Sequence, residues 1–350
     1  MNDRARVQAE GPKRLVAMYP GVRGKNPYLS QLSDGLIANA SEVVDWRQAP
    51  PVADLPAFLI LNWFENRAVD PPPGRSPWSN RRRRVERERE FHRRLSVVRQ
   101  RRAAGYRLIW IAHNRRPHRL APEQSTYDER IAPFWQLVDG VVHLTAASTR
   151  DPAFAHLAHL PRAVVPHPHY GTTSAVQQPP RVGPIRRVAF VGGFSARKNA
   201  LPTIRETLRS TKLEVVVTGS APNRAARRDL ERVGGERLRI VADPVSDDQL
   251  RAIFDGTTAA VLTEPNQLNS GVLFFALSCR APVIVPRTPT NEELVAEFGP
   301  QWLRIFDGRN AADDIAALTA EPAPEEPPSM GSRSPSACGR ELAAFLDRVG

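Results

Sequence analysis

Short apolar runs bounded by polar, glycine-rich or proline-rich stretches recur along the chain, and longer segments with helical spacing lie between them. In the first half, Leu15–Tyr19, Phe58–Leu61, Arg107–Ala112, Gly140–Leu144 and Ala163–Pro166 predict buried strands. In the second half, Val188–Val191, Glu214–Thr218, Arg239–Val241, Ala259–Thr263 and Pro282–Pro286 do the same. Helical stretches alternate with them: Tyr28–Ala40, Arg81–Arg102 stopped by Gly105, and the apolar run after Asn269. This alternation predicts parallel sheets covered by helices. The proline-rich 177–184 marks a break, giving a first domain over 1–175 and a second over 185–320. Residues 321–338, rich in Pro, Glu and Ser, predict a flexible connection to a short helix over 339–350.

Two loops in the second half carry anion-binding chemistry. Asn269-Ser270-Gly271 follows a strand and opens a helix, so backbone N–H groups and the positive end of the helix dipole face outward there. Upstream, Val191 leads into Gly192-Gly193-Phe194-Ser195-Ala196-Arg197-Lys198-Asn199, where paired glycines let the backbone approach a ligand and two adjacent cations follow. Each loop alone also fits an ordinary helix cap or a turn with solvated cations. Both follow strands of one alternation, so they share one edge of a parallel sheet and together point to a nucleotide-diphosphate site.

These segments, with Leu61-Asn62-Trp63-Phe64-Glu65-Asn66 and His113-Asn114-Arg115-Arg116-Pro117-His118, resemble GT-B glycosyltransferases of the group 1, nucleotide-sugar-dependent type. The resemblance covers roughly residues 13–310. It implies an α/β fold of two Rossmann-like, doubly wound domains facing a cleft. The first takes the acceptor, the second takes the nucleotide sugar through Gly193, Arg197, Lys198, Asn269, Ser270 and Gly271, and the last helix returns to the first domain. It also makes His167–Tyr170 the crossing between domains, with His167 or Tyr170 lining the cleft. Many retaining members carry two glutamates eight residues apart where this chain has Gln267 and Phe275. Glu264, just upstream, is the candidate to touch the nucleotide ribose instead.

Candidate catalytic groups sit at strand ends of the first domain. Glu65 is a general-base candidate, with a surface ion pair to Arg67 as the alternative. His113 is expected to donate a hydrogen bond to the sugar, with a base role as the alternative. The predicted activity is transfer of a hexose from a nucleotide-diphosphate sugar to a hydroxyl of a glycan or lipid-linked acceptor, without a metal or a bound cofactor. The alternative is a catalytically inactive GT-B-like protein that binds a nucleotide or polyanion. His156, His159, His167 and His169 lack the Cys or carboxylate partners of a zinc pattern, and no nucleophile-elbow glycine pattern supports a hydrolase.

Charge adds one feature. Arg75 to Arg119 holds sixteen arginines against three glutamates, a balance of +13 in a chain whose total is +12. The basic helix Arg81–Arg102, with Val85, Phe91, Leu95 and Val98 as its sparse apolar set, fits contact with an anionic membrane surface or another polyanion, with a solvated face partly paired through Glu86, Glu88 and Glu90 as the alternative. Aromatics are not interleaved with these arginines and no nucleic-acid module is recognisable, so nucleic acid is not an expected partner. The polar Met1–Arg14, the interrupted apolar run Leu55–Phe64 and only two cysteines, Cys279 and Cys338, predict a cytoplasmic protein, and the arginine segment would place it peripherally on the inner face of the plasma membrane.

Overall fold

Apolar residues fill the strands β1 (Arg14–Tyr19) and β3 (Ala57–Asn62), and every residue of both is buried, as expected of strands covered on two faces. The computed structural model describes residues 11–21, 26–51, 54–69, 77–117, 126–170, 185–192, 198, 200–219, 224–241, 245–254, 258–265, 268–307, 311–321, 324 and 326–350, the side chains of 77–80, 126, 319 and 320 excepted. The chain divides into one unit of Met1–Pro168 with Gly331–Gly350 and a second of His169–Met330.

The first unit adds β2 (Ser41–Asp45), β4 (Arg107–Ala112), β5 (Gly140–His143) and β6 (Arg162–Val164) to a wholly parallel sheet of order β2-β1-β3-β4-β5-β6. Helix α1 (Pro27–Ile37) starts at Asn26, whose side chain accepts from Tyr28 N–H at 3.1 Å, with Pro27 preset for the first turn. The long α2 (Pro77–Ala103) and the short α3 (Thr126–Trp135) complete the connections.

The second unit is also wholly parallel: β7 (Arg187–Phe190), β8 (Glu214–Thr218), β9 (Leu238–Val241), β10 (Thr258–Val261), β11 (Val283–Pro286) and β12 (Leu303–Phe306). Their order, β12-β11-β10-β7-β8-β9, is the doubly wound dinucleotide-binding order, reversing between β7 and β10. Helices α4 (Ala200–Ser210), α5 (Arg224–Gly234), α6 (Asp247–Ile253), α7 (Gly271–Ser278), α8 (Pro289–Phe298) and α9 (Ala312–Ala320) link these strands.

The last helix, α10 (Pro335–Val349), packs on α1 in the first unit. It begins four residues before the predicted Gly339, because Ser334 caps it and Pro335 takes its first position, signals that lie inside the segment read as a linker. That segment is tied down where it is described: Glu326 O accepts from the Trp302 indole, and Arg333 is 2% exposed and donates to His167 O. Gly35 and Gly339 set the helix crossing. A Cβ on Gly35 would lie 2.0 Å from Pro335 O, and one on Gly339 would lie 2.1 Å from Gly35 C. Arg14, buried at the start of β1, clamps Asp347 of α10 at 2.6 Å.

Candidate functional site

In the second unit, the strand order reverses between β7 and β10, so the loops after these two strands flank the crevice where open parallel sheets bind ligands. Both loops are fastened together. Gly192 N–H donates to Thr218 Oγ1 at the end of β8 at 2.8 Å, and the Thr263 hydroxyl donates to Lys198 O. Lys198 Nζ folds back to Val191 O at 2.6 Å. Gly192 has φ +64°, and a Cβ there would stand 2.9 Å from Lys198 Nζ, so the position needs glycine for its backbone and for the ammonium beside it. Lys198, Thr263 and the buried Glu264 line one small space between these loops. Gly193 and Arg197 lie outside the described residues.

Helix α7 begins at Ser270, whose hydroxyl accepts from Leu273 N–H at 3.4 Å. Its first turn holds no acidic residue, and the N–H groups of Gly271 and Val272 have no hydrogen-bond partner among the described residues. Beyond the Ser270 hydroxyl, no described side chain of the first turn offsets the positive end of the helix dipole. Gly271 makes room for Tyr170, since a Cβ there would lie 2.7 Å from the phenol oxygen. The rest of α7 is core. Phe275 is 5% exposed, stands 5.8 Å from the Tyr170 ring and is covered by the Arg251 guanidinium at 5.3 Å, so it offers no polar group to a ligand. Gln267 is outside the described residues.

In the first unit the order reverses between β1 and β3, and the ends of β3 and β4 carry Asn62 and His113. Asn62 Nδ2 donates to Tyr19 O at 3.1 Å, which turns its Oδ1 to His113 Nε2 at 2.9 Å. Trp63 adopts φ +53° and stacks on His113, with ring centroids 4.2 Å apart. Tyr28 meets His113 edge-on at 4.9 Å and His167 at 4.8 Å. His113 thus sits at a strand end beneath an aromatic group, held by an amide of fixed orientation.

Glu65 goes elsewhere. The left-handed turn at Trp63 starts a 3₁₀ helix, Phe64–Arg67, that buries Glu65 to 2% exposure. Its Oε2 accepts from Trp110 Nε1 at 3.0 Å, and its Oε1 is buried with no hydrogen-bond partner. Burial pushes the carboxyl up to about 7, opposed by the Trp110 hydrogen bond. Along β4, Ile109 and Ile111 join the core beneath α1 and α10, while Trp110 packs against Trp135 and Phe154. Because side chains alternate along a strand, Glu65 and His113 lie on opposite faces of the sheet. The surface pair of Glu65 with Arg67 is absent as well, since Arg67 Nε donates to the Tyr19 hydroxyl at 2.7 Å.

The basic segment separates into regions. Phe91, Leu95 and Val98 of α2 are buried, whereas Val85, expected on the same apolar face, is 40% exposed. Arg81–Arg84 are all exposed, on a stretch of α2 in which none of residues 81–90 is buried. Other arginines hold the fold: Arg94 Nη1 donates to the Tyr19 hydroxyl at 3.1 Å, Arg101 to Pro50 O at 2.7 Å, and Arg102 pairs with Asp139 at 3.0 Å.

His167 belongs to the first unit and Tyr170 to the second. His167 Nδ1 lies 2.7 Å from Pro168 O, and burial pulls its pKa down to about 4. Among the described residues no cluster of His, Cys, Asp or Glu is arranged to hold a metal, and no helix is long and apolar enough to cross a membrane. Tyr28, Thr218 and Thr263 are site neighbours that the sequence pattern does not single out; Tyr28 stands at a helix start, Thr218 at a strand end and Thr263 two residues past one, which is the only signal they carry.

No protein-family model matches the chain. Over 234 residues it is 24% identical to GDP-mannose:glycolipid 4-beta-D-mannosyltransferase of Xanthomonas campestris pv. campestris, covering 63% of this chain and 64% of that protein. The chain thus spans less than two thirds of the length of the curated relative it matches. Among solved structures it is similar to sucrose-phosphate synthase from Thermosynechococcus elongatus, with TM-score 0.55, 17% identity, and 97% and 98% of the two chains covered. It is also similar to Anabaena HepE in complex with UDP-glucose, with TM-score 0.53, 12% identity, and 96% and 98% covered. With its two parallel six-stranded sheets, the chain has the GT-B fold of glycosyltransferases.

Proposed function

We propose that this protein transfers a sugar from a nucleotide-diphosphate sugar to a hydroxyl of a glycan or glycolipid acceptor. One observation carries the reading: at the strand reversal of the second unit, Lys198 and the loops after β7 and β10 are fastened into one edge. The N-terminus of α7, after β10, supplies outward N–H groups on the same side of the sheet. Negative charge grows on the diphosphate as the glycosidic bond breaks, and fixed cations and N–H groups oppose it most in the transition state. Arg197 joins Lys198 in this role, and Asn269, Ser270 and Gly271 form the phosphate loop. Glu264, buried beside Lys198, is assigned to the nucleotide ribose. In this reading the diphosphate needs no metal.

The acceptor goes to the edge of the first unit, where His113 meets the reacting hydroxyl. Both side chains are buried, His113 at 5% and Glu65 at 2% exposure; His113 takes this role because it stands at the end of β4 on the edge that carries Asn62, while Glu65 is held by Trp110 on the other sheet face. The named donor and acceptor of the mannosyltransferase relative make GDP-mannose and a lipid-linked glycan the first substrates to test. The exposed quartet Arg81–Arg84 is assigned to an anionic membrane surface that presents such an acceptor. Isothermal titration with GDP and UDP, followed by turnover of GDP-mannose and UDP-glucose with and without EDTA, tests the proposal. Absence of nucleotide binding defeats the donor site, binding without turnover on any glycolipid defeats the enzyme, and loss of rate in EDTA defeats metal independence.

A further inference from the structure

Helix α2 ends at the edge of the first sheet opposite to Asn62 and His113. There its last turns, the starts of β3 and β4, the residue before β5 and Gly350 line a cavity of about 660 Å³ that is open to solvent. Three arginines line it, Arg99 and Arg102 from α2 and Arg107 from β4, against one side-chain carboxylate, Asp139, with Gly350 at the rim. That carboxylate is already engaged. Asp139 Oδ1 takes Arg102 at 3.0 Å, and Oδ2 accepts Leu108 N–H at 2.9 Å. Arg99 and Arg107 are exposed and make no ion pair among the described residues, which leaves two guanidinium groups at one cavity open to a ligand.

The cavity floor is buried and hydrogen-bonded. Phe58 and Tyr106 are each 1% exposed, the Tyr106 hydroxyl donates to Pro50 O at 2.8 Å, and Arg101 covers the Tyr106 ring at 5.7 Å. We propose that this cavity binds a phosphate group, at a site distinct from both the donor loops and His113. Guanidinium groups match phosphate oxygens in pairs, and a cavity of this size accommodates a small molecule rather than a bare ion. The ligand is therefore a phosphate carried on a sugar-sized or glycerol-sized body. A membrane phospholipid headgroup and a soluble phosphate ester share that chemistry. The inference does not depend on the proposed transferase activity.

Titration of the full chain with inorganic pyrophosphate tests it. Two classes of site are expected. The Arg99→Gln/Arg107→Gln variant, checked for folding by circular dichroism, should weaken one class by at least tenfold, while Lys198→Ala leaves that class intact. Arg99→Lys/Arg107→Lys should keep measurable binding. Unchanged affinity and stoichiometry in the folded glutamine variant, or no class beyond the one lost with Lys198, overturns the site. Phosphatidylglycerol vesicles identify the source. Co-sedimentation that pyrophosphate displaces and the glutamine variant loses points to a headgroup; vesicle binding indifferent to both points to a soluble ester.

Discussion

His113 Nε2 lies 2.9 Å from Asn62 Oδ1, and the same Asn62 amide donates through Nδ2 to Tyr19 O. Because an amide oxygen only accepts, Nε2 carries the proton, and in the neutral ring the lone pair is on Nδ1. Asn62 is thus a positioning residue that fixes the His113 tautomer. His113→Ala is expected to lower turnover by roughly 10²-fold, on the scale of general acid–base loss. Asn62→Ala should lower kcat about tenfold, with GDP affinity by titration unchanged in both. Full activity in His113→Ala would remove it from the reaction.

Glu65 makes a prediction about stability. Its folded pKa is raised from 4.5 to about 7, so below 4.5 both folded and unfolded states hold the proton and nothing is lost. Between those values the unfolded chain releases its proton while the folded chain keeps it. Stability therefore falls as pH rises through the window, by about 3 kcal/mol in total, and stays reduced above it. Glu65→Gln keeps an acceptor for Trp110 and removes this slope. Urea midpoints at pH 5 and pH 8 should converge in the variant, with turnover retained within tenfold. Equal pH slopes in variant and wild type would contradict the buried-acid assignment.

Lys198→Ala is expected to cut turnover by roughly 10²-fold, the scale of one lost electrostatic contact. Gly192→Ala should do similar damage by a different route, because φ +64° strains alanine and its Cβ meets the Lys198 ammonium. Steady-state rates beside GDP affinity check both. A Gly192→Ala enzyme with wild-type rate and affinity would mean that the loop after β7 is not part of the donor site.

Arg81–Arg84 predict salt-sensitive membrane contact. Each cation near an anionic surface is worth about 1 kcal/mol, and the attraction fades within about 8 Å at physiological salt. Replacing the quartet with serines should weaken co-sedimentation with phosphatidylglycerol vesicles and leave GDP binding intact. Equal binding to neutral and anionic vesicles would exclude the electrostatic mechanism, and tighter binding to RNA than to lipid at the same salt would redirect it.

The strands at the sheet centres are legible in the sequence because their apolar runs have no polar interruption. β2, Ser41-Glu42-Val43-Val44-Asp45, and β12, Leu303–Phe306, are not: three of the five β2 residues are polar, and β12 is a four-residue run interrupted by Arg304. The loops after β7 and β10 are legible for a related reason: their Gly, Ser and Lys residues follow strands of one alternation. The position of Glu65 is not. It depends on the left-handed backbone of Trp63, a conformation that tryptophan does not announce, and that one turn carries the carboxylate to the other face of the sheet.

The contact of Gly339 with Gly35 has a consequence for synthesis on the ribosome. The α1 surface that carries Gly35 leaves the ribosome about 300 residues before its partner, at roughly 15 to 60 s of elongation at common rates. Throughout that interval Leu32 and Leu36, later sealed in the core beneath α10, have nothing from that helix to cover them. The second unit, contiguous from His169 to Met330, is by then fully translated. The first unit to begin is the last to finish, and a nascent chain stalled after Met330 presents an uncovered apolar stripe to chaperones and proteases.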